Sequence, residues 1–161
     1  MGIKIKLLHP KAKIPTKESR GAAGFDLYAC LDNPINLYVN CSALVPCGFA
    51  INLVDNEWEK GVPEHLKSFM TFEFEAQIRP RSGLAAKHKV TVLNSPGTID
   101  SDYRGEVKVL LINHGDGCFR IEHGDRIAQM VIQPVNSISL EVVDELDDTE
   151  RGEGGFGSTG V

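Results

Sequence analysis

Three short segments hold residue types suited to gripping a phosphate ester and activating water against it: RPRSGLAAKH (residues 79–88), NSPGTIDSDYRGE (94–106) and RGEGGFGSTG (151–160). In the third, Gly152, Gly157 and Thr159 fit the phosphate-cradling pattern G-x-x-x-x-G-K-[ST], with Ser158 in the place of its lysine. Only two residues follow Thr159, so the segment has no helix N-terminus of its own to hold an anion. It is expected to close over a ligand held elsewhere. Arg151 opens it with a cation, and Phe156, flanked by glycines, suits stacking on a flat ring while nearby N–H groups meet an anion. The alternative is a disordered terminus, since glycine loses the most backbone entropy on ordering.

In the first segment, Arg81 offers a planar fork of donors, Ser82 a hydroxyl and N-cap, and Gly83 close backbone approach. That reads either as a phosphate site or as a capped short helix with solvated arginines. The second segment holds Asp100 and Asp102. D-x-D-x-x-G opens like a calcium loop, but its fifth position is Arg104 and its twelfth is Leu111, where a bidentate glutamate belongs. Asp102 reads as a turn residue. Asp100 follows Ile99 and is expected at a strand edge, partly buried, where a carboxylate can act as general base toward water. Tyr103 offers a stacking face and a hydroxyl, or else is a half-buried sheet tyrosine.

Two further polar residues interrupt apolar runs. Asp26, within GAAGFDLYA (21–29), needs partners because burying a carboxylate alone is costly; a hydrogen-bonding hub and a metal role are its two readings. Gln129, within RIAQMVIQP, likewise needs partners, and Arg126 reads as surface charge. No G-x-S-x-G elbow occurs, the five histidines are scattered, and zinc-ligand spacing is absent.

Many short strands must position these groups. Apolar or alternating runs recur at residues 3–8, 25–29, 35–39, 48–53, 71–78, 89–93, 106–112, 118–121, 126–133 and 138–143, separated by glycine, proline and asparagine. That pattern predicts an all-β sandwich, barrel or jelly roll. Helix is scarce: a turn or two from Ser82, and another within the charged stretch 55–67. The length of 161 residues fits one domain able to bury roughly 70% of its unfolded surface. A formal charge of −5 argues against a general nucleic-acid binder. No apolar run approaches membrane-spanning length, and nothing resembles a signal peptide. The four cysteines show no C-x-x-C pairing and are expected to be reduced packing residues of an intracellular protein. The acidic run 144–150 reads as a solvated linker, which divides the chain into a β domain (1–143) and a linker with a glycine-rich tail (144–161).

Taken in order, GAAGFDLYA, PRSGLAAKH, GTIDSDYRGE, RIAQM and RGEGGFGSTG resemble the five signature segments of the homotrimeric deoxyuridine triphosphatases (dUTPases), over residues 21–160. The resemblance implies a jelly-roll-like barrel or sandwich with one short helix, a flexible C-terminal tail, and active sites shared by three subunits. It implies cytoplasmic hydrolysis of dUTP to dUMP and pyrophosphate with Mg2+, limiting uracil in DNA and supplying dUMP. No nucleic-acid or membrane partner is implied. By the same resemblance Asp100 is the general base, Tyr103 packs beneath the deoxyribose, and Asn94, ending a hairpin-like stretch from Ala85, reads uracil. Thr98, Ile99 and Lys108 flank the nucleotide. Arg81, Ser82, Gly83 and Gln129 contact phosphates. Arg151, Phe156, Gly157, Ser158 and Thr159 stack on uracil and grip the γ-phosphate. The metal sits on phosphate oxygens and water with no direct protein ligand, and Asp26 reaches it at most through water.

One departure is an apparent insert, VDNEWEKGVPEHLKSFMTFEF (54–74), which carries the only tryptophan, Trp58. The nearest rival family is dCTP deaminase, but the catalytic glutamate it needs about ten residues past the aspartate aligns here with Leu110. A second rival is a non-catalytic nucleotide-binding protein on the same fold.

Overall fold

A computed structural model describes residues 3–53, 73–136 and 138–155. Its strands are β1 (Lys4–Leu7), β2 (Phe25–Tyr28), β3 (Ile35–Leu37), β4 (Ser42–Asn52), β5 (Glu73–Arg79), β6 (Val90–Val92), β7 (Gly97–Ile99), β8 (Glu106–Asn113), β9 (Phe119–Ile121) and β10 (Arg126–Val135). The helix α1 (Ser82–His88) lies between β5 and β6. Two four-stranded sheets, ordered β1-β4-β8-β6 and β2-β10-β5-β7, make a jelly-roll-like sandwich, with β3 and β9 as a separate pair. All the pairings are antiparallel.

Side-chain alternation puts the core between the sheets. In β8, Val107, Val109 and Leu111 are buried, while Glu106, Lys108 and Leu110 turn the other way. Phe49 from β4, Leu27 from β2 and Ile127 from β10 meet them in the same apolar cluster. Asn113 is fully buried at the end of β8, and its amide is satisfied. Nδ2 donates to the carbonyls of Leu37 and Gly117, and Oδ1 accepts from Gly115 N–H. Near the middle of β4 the pairing with β8 slips between Pro46 and Ala50. Gly48 occupies that slip with φ of +74°, and a Cβ there would lie 2.6 Å from Cys30 Sγ. Only glycine fits this position without strain.

Several sequence expectations need correction. The alternating run 138–143 is not a strand, because none of the described strands pairs with it. β4 begins six residues earlier than the run at 48–53 suggested, and β7 was not anticipated. Glu73 and Phe74, at the end of the apparent insert 54–74, belong to β5; the rest of it, with Trp58 and the second helical stretch, lies outside the described residues. Only Cys30 and Cys47 are packing residues, whereas Cys41 and Cys118 are exposed. Among the described residues no helix is long and apolar enough to cross a membrane.

Candidate active site

At the β7–β8 side of the sandwich a cleft of about 310 Å³ opens to solvent. It is lined by Asn94, Thr98, Ile99, Asp100, Tyr103 and Lys108, six of the residues singled out in the sequence. The local chain path explains the gathering. β6 pairs with β8 in one sheet, while β7 pairs with β5 in the other. The turn between them, which contains a cis Ser95–Pro96 bond, therefore crosses from sheet to sheet. The hairpin-like stretch expected from Ala85 to Asn94 is instead the end of α1 followed by β6. Asn94 sits on this crossing beside Gly97, where a Cβ would lie 3.3 Å from Asn94 Nδ2. Glycine at 97 thus lets the carboxamide lie against β7.

β7 ends at Ile99, which is buried, and Asp100 begins a turn closed by Tyr103 N–H donating to the Asp100 carbonyl at 3.2 Å. Asp100 is consequently exposed, not partly buried as expected: it follows the strand instead of lying in it. Asp102 is an exposed turn residue. Tyr103 stands on the loop, 44% exposed, and its hydroxyl donates to the Glu106 carbonyl at 3.0 Å. It is not a sheet tyrosine.

Arg81 and Gln129 belong to a second cluster. Asp26 is its hub: Oδ1 accepts from Arg81 Nε at 3.1 Å and Oδ2 from Arg126 Nη1 at 3.1 Å. Arg126 also pairs with Glu18 at 2.9 Å, and Glu18, followed by Asp26, raises the Arg126 pKa above its ordinary range. Arg126 is thus a member of the network and not free surface charge. Gln129 Nε2 donates to the Pro80 carbonyl at 2.9 Å, which fixes the chain just before Arg81. Gly24 leaves room for it, since a Cβ there would lie 2.6 Å from Gln129 Oε1. Ser82 is not the N-cap; Arg81 takes that position with extended backbone, and Ser82 and Gly83 are exposed first-turn residues of α1.

The two clusters are apart within one chain. Asp26 pairs with Gln129 and Gln129 with Arg79, whereas Ile99 pairs with Ala76, so Asp100 lies three strands across and about four residues along from Asp26. With strand spacing near 4.8 Å and a rise near 3.3 Å per residue, the separation is roughly 20 Å. Among the described residues, those of the tail (151–155) join neither cluster. Arg151 Nε donates to the Gly154 carbonyl at 2.8 Å within its own turn, and Phe156, Gly157, Ser158 and Thr159 lie outside the described residues.

Glu106 and Leu44 also line the cleft and were not singled out in the sequence, and Leu110, noted there only as the position aligned with the deaminase glutamate, lines it too. Glu106 and Leu110 share a β8 face with Lys108, so period-two spacing could have found them. Leu44 arrives only through its cross-strand pairing with Leu110. Burial, followed by Glu106 and then Cys30, pushes the Cys47 thiol up to about 12, and burial with Glu106 also raises Cys30. Both thiols are therefore protonated and inert at neutral pH.

A family model described as dUTPase matches residues 10–160. The chain is 49% identical over 158 residues to the deoxyuridine 5'-triphosphate nucleotidohydrolase of Syntrophotalea carbinolica, covering 98% of this chain and 96% of the relative. It is 51% identical over 160 residues to the protein of the same name from Rhizobium rhizogenes, covering 98% and 92%. Among solved structures it resembles the Staphylococcus bacteriophage 80alpha dUTPase with dUPNHPP. There the TM-score is 0.79, the identity 26% and the coverage 99% of both chains.

Proposed function

The chain belongs to the dUTPase family, and from that premise we propose that its cleft seats the nucleoside of dUTP while Asp100 activates the attacking water. The activity is hydrolysis of dUTP to dUMP and pyrophosphate. The observation that carries the reading is that Asn94, Thr98, Ile99, Asp100, Tyr103 and Lys108 line one cleft. The water gives its proton to the Asp100 carboxylate as its oxygen bonds to the α-phosphorus. The bond to the bridging oxygen breaks, and pyrophosphate leaves with the electron pair. Asn94, held against β7, presents a carboxamide able to pair with the edge of uracil, and Tyr103 packs beneath the deoxyribose.

A fully ionised triphosphate carries about four negative charges, which repel the nucleophile until they are neutralised. Arg81, Ser82, Gly83 and Gln129 supply part of that neutralisation, but roughly 20 Å separates their cluster from Asp100 of the same chain. We assign them to a neighbouring copy, in a homotrimer whose active sites are shared. The arm after β10 supports this: Ile138, Leu140 and Val142, alternating in sequence, are 77%, 97% and 98% exposed. Such a strip needs apolar cover, and a neighbouring subunit supplies it. The tail residues Arg151, Phe156, Gly157, Ser158 and Thr159 then close over uracil and the γ-phosphate.

Mg2+ suits this chain as an ion carried on phosphate oxygens and water. Among the described residues no group of three or more His, Cys, Asp or Glu is placed to hold a metal. Both Asp26 oxygens are engaged by guanidiniums, so Asp26 reaches the ion at most through water. When bound, the ion adds positive charge against the phosphates. The free thiols of all four cysteines suit the reducing cytoplasm, where we place the enzyme.

Incubation with dUTP and Mg2+ tests the reading. Stoichiometric dUMP and pyrophosphate are expected, and binding without turnover would reduce the chain to a nucleotide-binding module. Ammonia release from dCTP would move it to the deaminases.

A further inference from the structure

Glu106 ties two residues of the cleft wall, Tyr103 and Lys108, to the β4 slip at Gly48. Its backbone carbonyl accepts the Tyr103 hydroxyl at 3.0 Å. Its Oε1 accepts Gly48 N–H at 3.0 Å, in the β4 slip where the ladder to β8 is interrupted. Its Oε2 lies 3.6 Å from Lys108 Nζ, two residues along the same strand face. The carboxylate is the more enclosed member of that pair, 27% exposed against 43% for Lys108. One oxygen is thus fixed to the scaffold while the other faces a cation that lines the cleft.

We propose that Glu106 is a positioning residue for nucleotide binding: tethered to Gly48, its carboxylate holds the Lys108 ammonium at the cleft wall before the ligand arrives. A lysine side chain loses much rotamer freedom when it is fixed. Tethering it in advance removes that cost from binding, as preorganisation does generally. The effect is expected on affinity and not on the chemical step, which is assigned to Asp100. It rests on the reading of the cleft as the dUTP nucleoside site.

The test is Glu106→Gln, whose amide oxygen can still accept from Gly48 N–H but carries no charge for Lys108. Two measurements are made on the full chain: steady-state dUTP hydrolysis, and calorimetric binding of a non-hydrolysable α,β-imido analogue of dUTP. KM and the analogue Kd are expected to rise together about fivefold, with kcat within twofold of wild type. In a Lys108→Met background the same substitution is expected to change neither. The preference for dUTP over UTP should be kept, since Tyr103 bonds to the backbone carbonyl that the substitution leaves in place. Tighter analogue binding by Glu106→Gln would overturn the proposal, as would an equal loss with and without Lys108, or a fall confined to kcat. Glu106→Ala, which also releases Gly48, is expected to lower Tm in addition, and a comparable Tm loss in Glu106→Gln would make the role merely structural. The binding arm reads the proposal even if turnover fails, whereas absent turnover with intact binding sinks only the hydrolase reading.

Discussion

Tyr103 folds back over the backbone of Gly105, so closely that a Cβ at position 105 would meet its hydroxyl and lie 2.5 Å from its Cζ. The ring is held there by its bond to the Glu106 carbonyl. Gly105 is therefore the space into which the tyrosine packs, and the ring's height in the cleft depends on that residue having no side chain.

Gly105→Ala is expected to displace the ring and with it the surface beneath the sugar. The dUTP-over-UTP preference in kcat/KM should fall about tenfold, the scale of a one-methyl steric change. Competing dUTP and UTP in one assay measures it. An unchanged preference would detach Tyr103 from sugar selection.

Asp100→Asn keeps the shape of an exposed turn residue and removes the base. Loss of a positioned general base costs about 10²–10⁴-fold, so kcat should fall by that much, with analogue affinity within a few-fold of wild type. Single-turnover kinetics beside calorimetry separate the two. Near-normal turnover would remove the assigned role.

Much of the cleft was legible because Asn94 to Lys108 is one continuous run, and a turn between two strands brings its own residues together. The exposure of Asp100 was not, because it depends on β7 stopping at Ile99, and three residues are too few to show a period. Leu44 was hidden because strand register is a tertiary fact. The run 138–143 carries real strand alternation, but among the described residues of one chain nothing pairs with it. Sequence pattern reports what a segment could pair with and not whether the partner lies in the same chain. The separation of Arg81 from Asp100 within one chain cannot be read from motif order either, although it fits the shared sites that the family resemblance implies.

Alkaline stability should depend on Cys47. Its folded pKa, pushed to about 12 chiefly by burial, stands above the ordinary value of 9.0. The unfolded chain thus loses its thiol proton first, and this contribution is full below pH 9 and is lost between pH 9 and about 12. Across that window the slope is about 1.4 kcal/mol per pH unit. Cys47→Ala removes the titration and leaves a pH-independent cavity cost, so denaturation midpoints of the two proteins should converge as pH rises from 9. A constant gap would show that the thiol does not titrate on unfolding.

Removing residues 151–161 separates catalysis from folding. Arg151 and Gly152 bond within their own turn, to Gly154 and Thr149, and none of the described residues 151–155 joins the apolar core. Tm should therefore stay within about 2 °C, since losing surface residues without core contacts changes stability by no more than about 0.5 kcal/mol. Turnover should fall at least a hundredfold, because the deletion takes away a guanidinium and a glycine-rich run of N–H donors proposed for the γ-phosphate, along with the aromatic lid. Inorganic phosphate or free arginine cannot replace a positioned element, so neither should restore it. Calorimetry with the imido analogue gives the third reading: affinity should drop together with kcat, since the tail would contact both base and phosphate. A truncated enzyme that keeps full activity would show that the cleft and the Arg81 cluster suffice, and would leave the tail without a catalytic part.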